Sequence, residues 1–165
     1  MTQTKVRIVV GVDGSLCSLQ ALKFAFREAL AVGAEVEAVL VWSDPWAVTG
    51  PPSLSGAGPK GVARLKAILS DTVERAVKGE GATSVPVTQR VIPGHAAEVL
   101  AAESESARML VVGTTGLSGL RRWMLGSVSQ RCAQLARVPV VIVPPPERSP
   151  AHPGSDDEER ATGPA

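Results

Sequence analysis

Residues 6–15 read VRIVVGVDGS. Five of the first seven are β-branched, and the run shows no alternation of apolar and polar side chains. That pattern fits a strand covered on both faces, as in a parallel sheet. The Asp13-Gly14-Ser15 cluster that follows is turn-forming and ends the strand. A strand buried on both sides needs helices above and below it, so the neighbouring sequence should alternate between the two periods.

It does. Leu19, Leu22, Phe26, Ala29 and Leu30 recur at three- and four-residue spacings, predicting a helix that stops near Gly33. Residues 36–42 (VEAVLVW) read as a second strand. Val62, Leu65, Leu69, Thr72, Val73, Ala76 and Val77 form the stripe of a second helix ending at Gly79. Residues 85–92 predict a third strand, placed toward an edge because residues 88–90 are polar. A short helix over 96–104, a fourth strand over 110–112, a helix over 127–136 and a fifth strand over 138–143 complete the chain. Alternating strands and helices predict an α/β fold, a parallel sheet with helices on both faces joined by right-handed crossovers.

Two segments fall outside this pattern. Residues 43–60 hold four prolines and three glycines and predict a long structureless connection. Residues 146–165 are rich in Pro, Gly, Ser and acids and read as a disordered tail, leaving residues 1–145 as one domain.

Composition narrows the function classes. The 165-residue chain is 44% hydrophobic but only 3% aromatic, with no Tyr, so its core is aliphatic. The net charge of +1 argues against a nucleic-acid surface. The tail carries five acids against two arginines, which leaves +4 on residues 1–145 and favours an anionic small ligand. Cys17 and Cys132, each in an expected helix, read as reduced structural thiols. The polar start Met1 to Lys5 and the absence of a long apolar run point to a soluble cytoplasmic protein without membrane contact.

The chemistry concentrates in Gly113-Thr114-Thr115-Gly116-Leu117-Ser118-Gly119 and, after Leu120 to Leu125, Gly126-Ser127-Val128-Ser129. This stretch leaves a strand and enters a helix. Glycines let backbone approach a ligand, and free N–H groups at a helix start favour phosphate. Ser127 and Ser129 add hydroxyl donors. The competing reading makes Ser127 an N-cap and the glycines turn residues. The stretch lacks the Gly-Lys-Ser/Thr of a P-loop and the Gly-x-Gly-x-x-Gly of dinucleotide folds. Asp13 stands at the carboxyl edge of the first strand, where it accepts from ribose hydroxyls, caps the next helix or makes an Asx-turn.

Three features together carry a resemblance: VVGVDGS, the spacing Gly113-x2-Gly116-x9-Gly126-Ser127, and the closing PVVIVP. They resemble the universal stress protein family, in its ATP-binding branch, over residues 5–144. The resemblance implies the adenine-nucleotide α-hydrolase-like arrangement, a five-stranded parallel sheet of order 3-2-1-4-5. It places Gly11 and Asp13 on the ribose and adenine side and the Val41 backbone on adenine. It places Gly113, Thr114, Gly116, Gly119, Gly126, Ser127 and Val128 around the phosphates, with Ser129 beside them. It also implies ATP and a homodimer through the last strand, Val138 to Val143; as a carboxylate, Asp13 could bind Mg2+ brought with the ATP. Arg108 stands where the family often has an acid, at a position expected on the surface.

A regulatory nucleotide-binding module is the reading these residues favour. The alternatives are a slow ATPase and a sensor of AMP or cyclic AMP; no His-x-Gly-His or Ser-Gly-Gly-x-Asp-Ser motif is present, and no general base stands out. Arg121 and Arg122 read either as phosphate contacts or as solvated charge, and Trp123 as a cover or a dimer contact. His95, without a second ligand at metal spacing, reads as a surface or capping residue.

Overall fold

Strand β1 (Arg7–Gly11) lies in the middle of the sheet, and its Ile8, Val9 and Val10 are wholly buried. In this computed structural model residues 6–43, 58–114 and 125–146 are described. After β1 come α1 (Leu16–Val32), β2 (Glu35–Trp42), α2 (Gly58–Glu80), β3 (Val87–Pro93), α3 (Ala96–Glu103), β4 (Met109–Gly113), α4 (Ser127–Leu135) and β5 (Val140–Val143). The five strands form one sheet of order β3-β2-β1-β4-β5, every pair parallel. The order implied by the resemblance is the order observed.

The two faces of the sheet hold separate cores, because alternate side chains of a strand point to opposite sides. On one face Ile8, Val10, Val36, Ala38, Leu40 and Val111 pack against α1 through Leu22 and Phe26 and against α2 through Leu69, Val73 and Ala76. On the other, Val9, Val39, Leu110 and Val112 meet Ala97 and Leu100 of α3 and Cys132 of α4. This two-sided burial is why β1 needs no polar alternation.

Helix ends follow their local chemistry. The Ser15 hydroxyl caps α1 by accepting from the Ser18 N–H, and Gly33 closes it in the left-handed conformation at φ 67°, its N–H donating to the Ala29 carbonyl. Helix α2 corrects two boundaries. It starts at Gly58, so residues 58–60, expected in the connection, form its first turn. Pro59 suits that place, since the N–H it lacks would have no helical partner there. The helix also runs through Gly79 and stops at Gly81, which has φ 62°. Strand β5 is shorter than expected: Pro139 lies ahead of it, though its carbonyl already accepts from the Leu110 N–H at 2.9 Å. The remainder of the long connection (44–57) and the acidic tail from 147 onward lie outside the described residues.

Strand β3 is an edge strand, as its polarity predicted, but the polarity has a second cause. Glu37 of β2 is buried, and its two carboxylate oxygens accept from Arg7 of β1 and Arg90 of β3. Arg90 also pairs with Glu103 at the end of α3, and Arg7 donates to the Glu103 carbonyl. The two carboxylates hold the Arg90 guanidinium above its ordinary pKa. This cluster ties three strands and α3 together near the amino ends of the strands.

Candidate functional site

Strand order reverses between β1 and β4. From β1 the chain moves outward through β2 and β3, then returns to place β4 on the other side. Helix α1, which follows β1, packs on one face and α4, which follows β4, on the other, so the carboxyl ends of these two strands mark the crevice where open α/β sheets usually bind ligands.

Asp13 stands at this edge, two residues past β1. One of its carboxylate oxygens accepts from the Ser15 N–H at 2.9 Å, so the Asx-turn foreseen as an alternative is present. Gly14 completes the turn at φ 83°, with Ile68 of α2 packed where its side chain would be. The turn holds the carboxylate at the carboxyl edge of β1, while the cap of α1 is Ser15. Gly14, read in the sequence only as part of the turn, thus also shapes the surroundings of Asp13.

Val41 presents backbone to the same crevice. The Val39 carbonyl accepts from Val12 after β1, whereas the Trp42 carbonyl accepts from Gly94 after β3. Successive residues of a strand direct their backbone groups to opposite neighbours, so the Val41 N–H and C=O point toward the β1 side. The β1–β2 ladder ends at Gly11 and Val39, and Val41 lies beyond it.

The glycines divide by purpose. None of Gly11, Gly113 and Gly126 has a positive φ, so a left-handed backbone is not what requires glycine there. A Cβ on Gly11 would lie 2.8 Å from Leu100 Cδ1 of α3, and one on Gly113 would lie 2.7 Å from Cys17 Cβ of α1. Both are glycine because a helix seats against the strand end. Gly126 is the N-cap of α4 at φ −66° and ψ 157°, and no side chain caps the helix there. Ser127 and Val128 follow it, both exposed.

Thr114 joins these parts. Its N–H donates to the Val143 carbonyl of β5 at 2.9 Å, and its carbonyl accepts from the Gly126 N–H at 2.6 Å. The Ser129 hydroxyl lies 3.1 Å from the same carbonyl and 2.9 Å from that of Gly126. Ser129 is only 2% exposed. Its hydroxyl is turned into the protein, contrary to its expected place among the phosphate donors. Gly116, Gly119, Arg121, Arg122 and Trp123 lie outside the described residues.

The two thiols are buried and unbridged, as their helical positions predicted. Burial, with a smaller contribution from the Glu98 charge, pushes Cys132 up to about 11, so it is unreactive near neutral pH. His95 occupies the N-cap position of α3 but makes no side-chain capping bond. Arg108 is exposed at the amino end of β4, away from the crevice. Among the described residues no group of three or more His, Cys, Asp or Glu side chains is placed to hold a metal ion, and no helix is long and apolar enough to cross a membrane.

The sequence pattern of the universal stress protein family matches residues 6–144, the whole of this sheet and its helices. The chain belongs to the universal stress protein family. Among its relatives, a universal stress protein of Mycobacterium tuberculosis is 38% identical over 135 residues, covering 82% of this chain and 44% of that protein. A universal stress protein of Methanocaldococcus jannaschii is 33% identical over 144 residues, covering 86% of this chain and 84% of its own length. The chain thus spans about half the length of the mycobacterial relatives it matches. A universal stress protein solved in complex with cAMP is 30% identical, with a TM-score of 0.63 over 86% of this chain and 98% of that one. The fold is also shared with the universal stress protein from Archaeoglobus fulgidus in complex with dAMP, at 22% identity and a TM-score of 0.60, covering 84% of this chain and 97% of that one.

Proposed function

We propose that this universal stress protein is a cytoplasmic adenine-nucleotide-binding regulatory module whose ligand is ATP. One observation carries the reading. Across the carboxyl edge, in strand order, stand the Val41 backbone pair on β2, Asp13 after β1, and the uncapped α4 N-terminus beside β4. Strands β2 and β4 are two spacings apart, about 10 Å, a distance of the same order as that from a purine to its first phosphates. Val41 would offer adenine a donor and an acceptor, Asp13 would accept from ribose hydroxyls, and Ser127 and Val128 N–H groups would face phosphate.

Gly11 and Gly113 contribute by letting α3 and α1 close on the strands, while Gly116 and Gly119 would extend the phosphate cradle. Mg2+ would reach the site with ATP, and Asp13 offers it a hard oxygen ligand. Strand β5 is an edge strand with all four residues half-buried, and pairing of two copies along Val138 to Val143 would cover it. None of these contacts requires a chemical step, so holding the nucleotide is sufficient.

A second reading, a sensor of cyclic AMP or AMP, is favoured by the neighbour solved in complex with cAMP. Calorimetric titration of the full chain with ATP, AMP and cAMP separates the two. ATP binding tightest supports the proposal, and cAMP binding tightest favours the second reading. No adenine nucleotide binding below millimolar concentration refutes both. Slow hydrolysis is tested separately by single-turnover kinetics, where a step above background abolished by Asp13→Ala would overturn the purely regulatory reading.

A further inference from the structure

We infer that Ser129 is a positioning residue for the nucleotide site, acting through Thr114 to hold the first turn of α4 in place while touching no ligand. The inference rests on the nucleotide-binding reading above and reassigns the one hydroxyl of the glycine stretch that the fold buries. Thr114 is held on three sides: its N–H by β5, its carbonyl by α4, and its hydroxyl against Cys17 Sγ of α1 at 4.0 Å. It is therefore a fixed point at the end of β4, with Gly113 already pressed against Cys17.

The α4 N-terminus is tied to that point by the Gly126 N–H, and the Ser129 hydroxyl stands within hydrogen-bond reach of the same carbonyl. The carbonyl has two lone pairs and accommodates both. Residues 126 and 129 are one helical turn apart, so two anchors fix the direction of the turn as well as its distance. Ser127 and Val128, the residues proposed to meet phosphate, are the two positions between the anchors. Gly126 has no side chain with which to cap the helix, so the Ser129 bond supplies the orientation a capping residue would otherwise give. With one proton, the Ser129 hydroxyl either bonds the Gly126 carbonyl within its own helix or reaches Thr114 outside it. Only the second arrangement joins helix to strand.

The test combines Ser129→Ala, Ser129→Thr and Ser127→Ala in the full chain, with ATP and AMP titrations and amide exchange at Gly126. Ser129→Ala is expected to weaken both nucleotides by a similar factor, about five- to tenfold, and to speed exchange of the Gly126 amide. Ser129→Thr, which keeps the hydroxyl, is expected to restore both. If Ser129→Ala leaves affinity unchanged while lowering the unfolding midpoint, the residue is merely structural and the inference falls. It also falls if the loss is confined to ATP with Gly126 exchange unaltered, because Ser129 would then touch the outer phosphates. Should Ser129→Ala fail to fold, the native chain still decides the anchor: a Gly126 amide exchanging as freely as in an open chain overturns it. If the native chain and Ser127→Ala alike bind no nucleotide while Gly126 is protected, the functional reading fails, and with it the positioning role, although the anchor stands.

Discussion

Gly113 and Cys17 meet so closely that a Cβ on Gly113 would lie 2.9 Å from the Cys17 carbonyl carbon as well as 2.7 Å from its Cβ. Backbone cannot rotate out of the way as a side-chain tip can. Gly113→Ala is therefore expected to push α1 from β4 and cost about 2–3 kcal/mol, as overpacking does. Gly11→Ala should cost about 1 kcal/mol less than Gly113→Ala, because its nearest neighbour is the movable end of Leu100. Urea unfolding of the two variants tests the ranking, and equal losses would refute it.

The Gly126 position separates stability from binding. Its φ of −66° and ψ of 157° suit any residue, and Asp is among the best N-caps. Gly126→Asp should hold stability or raise it by about 0.3 kcal/mol. The same carboxylate would stand where phosphate is proposed, so ATP binding should be lost. A variant that binds ATP with native affinity would refute the placement of the phosphates.

Glu37 anchors two arginines from neighbouring strands. Removing its carboxylate takes the counter-charge from Arg7 and leaves Arg90 with Glu103 alone. Glu37→Ala is expected to destabilise by about 2 kcal/mol, below the range for a fully buried pair because Arg90 is 43% exposed and partly solvated. Combining it with Arg90→Ala should cost less than the sum of the single changes. Strict additivity in that double-mutant cycle would show that the pair is not coupled.

Cys132 makes stability fall in alkali. Its thiol is raised from 9.0 to about 11 in the folded chain, so the folded state keeps a proton that the unfolded state loses. The contribution is fully present below pH 9 and is lost as pH rises toward 11. Cys132→Ala should flatten the stability profile over that window, and a thiol reagent at neutral pH should label Cys132 only on unfolding. Rapid labelling of the native chain at that position would contradict its burial.

Several features were legible along the chain. The β-branched run over residues 6–12 marked a strand buried on both faces, and the stripe Leu19, Leu22, Phe26, Ala29 marked the helix that covers one of them. Asp13-Gly14-Ser15 marked both the turn and the helix start, since short side chains and a glycine act on backbone within three residues. Other features were not legible. Pro59 was grouped with the connection because its neighbours are Pro- and Gly-rich, although it suits a first turn equally well. Arg90 looked like an edge residue alone, because its partners Glu37 and Glu103 come from other elements. Ser129 looked like a ligand donor, because its linear neighbour Ser127 is exposed while Ser129 itself is buried.

By itself the sequence determined the alternation of strands and helices, the aliphatic two-faced sheet and the turn after β1. These depend on periodicity and on contacts within a few residues. Through the resemblance it also pointed to the strand order. Tertiary structure alone decided what Gly11, Gly113 and Ser129 are for. Each is set by a partner distant in the chain or hidden from it: Leu100, the backbone of Cys17 and the carbonyl of Thr114. A residue's type limits what it can do, but the direction in which it points depends on which elements the fold packs beside it. At this crevice, that packing turns one serine of the glycine stretch toward solvent and the other into the protein.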